Sequence, residues 1–534
     1  MQNFVKEFWQ SSFSHRIKTK GARHLKIDRS STLYATLLLT GTGLFSQILG
    51  FFYRIALSRL IGAEIMGLYQ LIMPVYSVFM SIVAVGLTTA VSTLTAEYQA
   101  LGRTAAIHQA LRRCLLIFTA IALPLGAAVI LFSDPISVYL LGDARTQLGL
   151  ILLIPCILLT GVENLHKHCF YGAGNVRPPA FTELCEQVIR AAAVLGLLVA
   201  FLPQNPERTV GLIVIGMVIC EVFSAVSLVT LFRVKMGRRP RPDGPAVTWG
   251  RIASIAVPVG FTSLLGNLMS SANSVLIPQR LVVGGMEVSE AMSAFGVLCG
   301  MTVPLLNMPT ALIGAMCLIM VPKLAESAAL RDRRAIQRRL DRALLATSVL
   351  MMPATALLVV VGPTLGRLLF GDPRVGEYML PLAAGVLLCC YQSVLSCALN
   401  GVGRQNAAAR NSILCGGVQL AFTWFTVGIP GVGLKGYVAG FLVSSVLGLL
   451  LNLISTIRAT GLRLRPFEWL VSPTLAAVLM GLCVNLLFRW LEGQGASLPF
   501  SVAACVVFGA VEYLAALQAQ GVKLRQLFRV SRSK

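Results

Sequence analysis

Few side chains in this sequence can do chemistry, because most of its 534 residues are apolar and only 13% are charged. Arg54 lies deep in the run SQILGFFYRIALSRLIGAE (46–64), with Arg59 nearer its end. A guanidinium is a planar fork of donors that matches two oxygens of a phosphate. In an apolar setting it costs roughly 2.5–3.5 kcal/mol unless an anion, a carboxylate or the interface receives it. Arg54 is therefore a candidate phosphate contact, and snorkelling outward or a structural ion pair is the competing reading. Glu186 and Arg190 stand four residues apart, so on a helix they share a face and suit an intrahelical ion pair or, in a cleft, a charged ligand. Glu163 and Glu221 can pair with those arginines or carry a coupling proton or sodium ion. Further along come neutral amides, Asn267, Asn273, Asn307, Gln392, Gln419 and Asn452, groups that bond helix to helix or meet sugar hydroxyls. Asn267 and Asn273 join Arg54, Arg190 and Glu186 as candidate ligand contacts.

Metal and cofactor chemistry is not expected. His166 and His168 flank Lys167, whose charge opposes a bound cation, and only Glu163 is near enough in sequence to help. The 13 cysteines fall in apolar stretches and include no CxxC pair. There is no glycine-rich phosphate loop of the kind ATP-driven pumps carry.

The elements that hold these residues follow from hydropathy. A bilayer core about 30 Å thick needs about 20 apolar residues per helix. Fourteen segments reach that length, so the expected fold is an all-α polytopic membrane protein. The basic N-terminal stretch, residues 1–31, lacks the apolar core and cleavage site of a signal peptide. A net charge of +23 raises the question of nucleic acid. Placing alternate loops on opposite sides answers it, since most Lys and Arg then fall on the side of the two termini, the positive-inside pattern. Arg233, Lys235, Arg238, Arg239 and Arg241 form one such loop, and Arg331, Arg333, Arg334, Arg338 and Arg339 another. Both loops are expected beside anionic lipid in the cytoplasm.

Sliding the sequence by 229 residues carries Ala96-Glu97 onto Ala325-Glu326, Pro124 onto Pro353 and Gly142-Asp143 onto Gly371-Asp372. It also carries Gly172 and Gly174 onto Gly401 and Gly403. An even number of spans per unit makes these parallel repeats about an axis along the membrane normal. The expected organisation is a first lobe over 32–232, a basic linker over 233–251 and a second lobe over 252–457. A loop over 458–469, two further helices over 470–519 and a basic tail over 520–534 complete it. Two lobes facing a cleft are what alternating access requires, and Pro258, Gly260, Pro304 and Pro309 permit bends in helices 7 and 8 beside it.

Helices 1 and 2, SQILGFFYRIALSRLIGAEIMGLYQLIMPVYS, with TAEY at 95–98, resemble the stage V sporulation protein B family of polysaccharide exporters. That family sits within the multidrug/oligosaccharidyl-lipid/polysaccharide (MOP) exporter superfamily. The resemblance implies a MATE-like fold of two six-helix lobes plus two C-terminal helices in a bacterial plasma membrane. It further implies a transporter, not an enzyme, that flips an undecaprenyl-pyrophosphate-linked saccharide such as lipid II. Membrane lipids and cell-wall synthesis enzymes are the implied partners. Arg54 inherits the pyrophosphate-binding role of the family's helix 1 arginines. Gln47 stands where the family usually has arginine, so one expected phosphate contact is missing and the cargo can differ from lipid II. The alternatives are an ion-coupled multidrug or metabolite antiporter, which would rely on a cleft carboxylate, and a membrane glycosyltransferase or polymerase, which would need reactive groups on a large outer loop.

Overall fold

The computed structural model describes residues 32–201, 205–236, 247–462 and 467–521, with side chains from 38 onward. The extension 1–31, residues 237–246 of the linker, 463–466 of the following loop and 522–534 of the tail lie outside the described residues. Within these residues the secondary structure is helical, with no strand. Twelve helical stretches are long and apolar enough to cross a bilayer. One of them, Leu38–Ala100, makes two passes, divided at Gly62 (φ 75°, ψ 177°). Only glycine adopts that backbone without strain, and a single residue suffices to turn the chain. Gln405–Thr426 is a further pass, its apolar character diluted by Gln405, Asn406, Arg410 and Asn411. The fourteen expected passes are thus present.

In chain order they are α1 (32–61), α2 (63–100), α3 (Thr104–Leu131), α4 (Gln147–Gly172), α5 (Arg177–Phe201), α6 (Pro206–Lys235) and α7 (Trp249–Val283). They continue as α8 (Val288–Ala329), α9 (Arg333–Phe370), α10 (Met379–Gly401), α11 (Gln405–Thr426), α12 (Leu434–Thr460), α13 (Phe467–Gly493) and α14 (Leu498–Ala519). The face where α1 begins and α14 ends is called basal here, and the opposite face distal. Several helices outrun the expected spans. α9, for instance, starts at Arg333 rather than near 344, because a helix continues through the headgroup layer where Arg338, Arg339 and Arg342 remain solvated. α8 is segmented: a π-helical stretch, Gly296–Thr302, precedes Pro304, and a 3-10 turn, Met308–Thr310, holds Pro309.

The 229-residue offset has a physical counterpart. Gly142 and Gly371 close the helical segments before the α3–α4 and α9–α10 turns, both in the left-handed conformation. In each turn the following aspartate grips an arginine two residues on. Arg145 Nη2 donates to Asp143 at 2.7 Å and Arg374 Nη2 to Asp372 at 2.7 Å. Each guanidinium then reaches the start of its own lobe's second helix, Arg145 to Glu64 at 2.6 Å and Arg374 to Ser293 at 2.9 Å. Glu64 and Ser293 are themselves one offset apart. Basally, Gly172 of α4 lies against Ser92 and Thr95 of α2, while Gly401 of α10 lies against Val321 and Leu324 of α8, again the same pairing. Small residues let helices approach where lipid offers no hydrophobic drive for association.

α13 and α14 pack on α9, outside the repeat. The seam between the lobes is uneven. α7 follows α2 along its length: Arg251 meets Glu97 at 3.2 Å basally, Asn267 donates to Ser81 at 2.6 Å in mid-helix, and Ser271 donates to the Pro74 carbonyl at 3.2 Å. A Cβ added to Gly41 or Gly43 of α1, or to Gly314 of α8, would meet nothing within 4 Å. These positions therefore face open space.

Candidate functional site

Two polar features lie at membrane depth in the first lobe. The first is a charged cluster where α4, α5 and α6 meet. Arg190 extends from α5 and pairs with Glu186 one turn back, as their spacing predicts. The same Nη2 lies 3.4 Å from Glu221 Oε1 of α6, and Nε donates to Cys220 Sγ at 3.4 Å. Ser224, one turn beyond Cys220, donates to Glu186 Oε2 at 3.4 Å. Glu163 of α4 closes the group, its carboxyl in hydrogen-bond contact with that of Glu221. Glu163, Glu186 and Glu221 are 4%, 6% and 3% exposed, so water does not screen them.

Three buried carboxyl groups thus share two cations: Arg190 pairs with Glu186 and Glu221, while Lys167, bonded to Glu183 at 3.0 Å, also lies within electrostatic range of Glu163 and Glu186. Burying an unmatched charge is costly, so such a group takes up a proton or a small cation. Two carboxyl groups in hydrogen-bond contact need a proton between them. Glu221 Oε2 is buried and receives no hydrogen bond. Ligand atoms of Glu186, Cys220 and Glu221 lie within 4.8 Å of one another, close enough to hold an ion, but the Arg190 guanidinium already occupies their midst.

The second feature is Arg54. It projects from α1 within electrostatic range of Tyr69 on α2 and Cys299 on α8, at the seam between the lobes. Among the described residues no hydrogen bond or ion pair engages it. Arg59, by contrast, donates to the carbonyls of Leu368 and Leu369 near the distal end of α9 and is a structural contact. Tyr53 and Tyr69 stand between the two features, coupled to both Arg54 and Arg190. The Tyr53 hydroxyl is buried without a partner.

The amides are engaged elsewhere. Asn267 is bonded to Ser81, and Asn273 accepts from Thr423 of α11 at 2.5 Å, so both tie α7 to its neighbours. In the second lobe Asn411 donates to Asn452 at 2.8 Å, and Ser444 donates to Gln419 Oε1 at 2.9 Å. The offset places Gln392 opposite Glu163 and Gln419 opposite Arg190, whereas Glu186 and Glu221 fall opposite Cys415 and Leu450, so the second lobe does not repeat the charged cluster. His166 and His168 direct Nδ1 to the carbonyls of Val162 and Asn164, one turn back, and stack on Phe232 and Tyr171. Sequence reasoning missed Tyr53, Tyr69, Ser224 and the Lys167–Glu183 pair. The four-residue spacing of Lys167 from Glu163 was the one available signal.

Residues 33–285 match the model of the polysaccharide biosynthesis protein family. The chain is 23% identical over 492 residues to "Stage V sporulation protein B" of Bacillus subtilis (strain 168), covering 91% of this chain and 95% of that protein. Among solved structures it is similar to "Lipid II flippase MurJ, inward closed conformation", with TM-score 0.70 and 14% identity over 92% of this chain and 100% of that one. An inward-facing multidrug resistance MATE family transporter of the MOP superfamily matches with TM-score 0.61 and 16% identity, over 80% of this chain and 99% of that one. The likeness shows the fold: a polytopic membrane protein of two six-helix lobes and two additional helices.

Proposed function

We propose that this protein flips a saccharide carried on an undecaprenyl pyrophosphate anchor, lipid II or a related cell-wall or polysaccharide precursor, across the bacterial plasma membrane by alternating access. The observation that carries this reading is Arg54, a guanidinium at the seam between two lobes with no anionic partner among the described residues. A diphosphate offers the missing partner in bidentate form. The resemblance to an exporter of the sporulation protein B family and to a lipid II flippase supports the same cargo class.

An opening between the basal halves of α1 and α8, where Gly41, Gly43 and Gly314 face open space, would suit such a molecule. Its saccharide and diphosphate enter the cleft while the polyprenyl tail stays in lipid, so neither end crosses the wrong solvent. The basic loops support a cytoplasmic basal face, with both termini on that side. Gln47 leaves Arg54 without the second helix 1 arginine, which favours a cargo related to lipid II over lipid II itself. Asn267 and Asn273 meet sugar hydroxyls only if α7 separates from Ser81 or Thr423 during the cycle.

Glu163 and Glu221 are the proposed coupling groups, taking a proton or sodium ion while Glu186 holds Arg190. The same buried carboxyls favour the second reading, an ion-coupled antiporter for a soluble metabolite or drug. A binding measurement separates the two. Purified protein should bind a short-chain polyprenyl-diphospho-saccharide, and Arg54→Ala should weaken that binding about 10- to 100-fold, the worth of one charge-assisted contact. Equal binding by both proteins would remove the phosphate role.

A further inference from the structure

The distal closure between the lobes is built from the repeat itself. The 229-residue offset carries Ala63 onto Met292 and Gly67 onto Gly296. In the structure Gly67 of α2 lies against the backbone carbonyl of Met292, and Gly296 of α8 lies against the backbone carbonyl of Ala63 and the amide of Gly67. These two contacts are the same contact seen from either lobe. At both glycines an added Cβ would collide with backbone rather than with a movable side chain. The helices can therefore cross this closely only while both positions lack a side chain.

The crossing is anchored on each side. Glu64, beside Ala63, is held by the Arg145–Asp143 turn, and Ser293, beside Met292, by the Arg374–Asp372 turn. Each helix end is thus tied to its own lobe, so a rotation of one lobe against the other moves the crossing as a unit. Cys299 of α8 lies one turn basal to Gly296, on the Arg54 side of the crossing.

We infer that the Gly67–Gly296 crossing is the outer gate of the transport cleft: a pseudo-twofold seal that closes by backbone contact and that any larger side chain holds open. The inference rests on the reading of the chain as a two-sided transporter, and not on the identity of its cargo. It gives the small residues at these two positions one purpose, which is to let the outward-closed state form.

The test uses the full-length protein with Cys299 kept and the other members of its thirteen cysteines replaced. In right-side-out vesicles a membrane-impermeant thiol reagent added outside should label Cys299 slowly in the glycine parent. Gly67→Leu or Gly296→Leu should raise that labelling by about tenfold or more, as expected for a population shift toward the outward-open state. Gly43→Leu, on the same α1–α2 stretch but facing open space, should leave it unchanged. Unchanged labelling in a Gly67→Leu protein that inserts and purifies as a single species would overturn the inference. If the leucine variants do not insert, Gly67→Ala must show the increase, and its failure to do so overturns the inference equally. Labelling requires no cargo, so failure to move a lipid-linked saccharide leaves this result readable.

Discussion

Arg54 and Arg190 are both guanidinium groups in the first lobe, and their surroundings separate their roles. Arg190 is enclosed by Glu186, Glu221 and Cys220, whereas Arg54 has no partner among the described residues. A phosphate approaching Arg190 would have to displace carboxylates that already satisfy it, so Arg54 is the residue free to bind. Arg54→Ala should abolish flipping in a protein that still inserts, and Arg54→Lys should restore little, because an ammonium cannot reproduce the bidentate fork. Complementation of a flippase-deficient strain by both variants at the native level would contradict this. Glu221→Gln makes a different point. On the proposed reading the Glu163–Glu221 pair exchanges a proton or ion, which an amide cannot do, so this variant should lose the dependence of transport on the proton or sodium gradient while cargo binding stays within about twofold, since Glu221 does not touch the Arg54 site. Transport that keeps its full response to the imposed gradient would exclude Glu221 from coupling.

At the scale of elements, the repeat supplies predictions that cargo does not affect. Gly172 of α4 lies against the Ser92 carbonyl of α2, so Gly172→Leu should force these helices apart and cost about 1–3 kcal/mol, read as a lower melting temperature in detergent. Gly401→Leu should behave alike in the second lobe, where Leu324 and the Val321 carbonyl lie 2.9 and 3.0 Å from an added Cβ. In the α9–α10 turn, partial burial pushes the Asp372 carboxyl up, but the hydrogen bonds and charge of Arg374 outweigh it and hold the group below the ordinary carboxylate range. A depressed carboxylate stabilises the fold above its unfolded value and loses that contribution as pH falls through the folded one. The wild type should therefore lose more melting temperature than Asp372→Asn on acidification below about pH 4. With Arg374 half exposed the effect is on the order of 0.5 kcal/mol at most. Identical acid profiles for the two proteins would show that the turn contributes nothing.

Over the whole molecule, the apolar runs announced the passes because a bilayer imposes length and composition on every helix. Even so, hydropathy alone passed over the polar start of α11, and it stopped short of the arginine-bearing start of α9. The Glu186–Arg190 pair was legible because a four-residue spacing puts both groups on one helix face. The Glu163–Glu221 contact was not, since it joins different helices and no periodicity records which faces meet. Asn267 and Asn273 looked like ligand contacts for the same reason: their partners, Ser81 and Thr423, are distant in sequence. The offset of 229 residues was visible, but its meaning at Gly67 and Gly296 needed the backbone.

The central claim is that the chain moves a lipid-linked saccharide between leaflets through a cleft that Arg54 serves. It is tested most directly by reconstituting the protein in liposomes with a labelled polyprenyl-diphospho-saccharide and following how much of the label an externally added, membrane-impermeant reagent can reach. Wild-type protein should bring the inner-leaflet label to the outer surface in an ion-gradient-dependent manner, and Arg54→Ala should leave it where protein-free liposomes do. Liposomes in which no such lipid changes leaflet, but which take up a soluble organic cation in exchange for protons or sodium, would contradict the account and identify an antiporter instead.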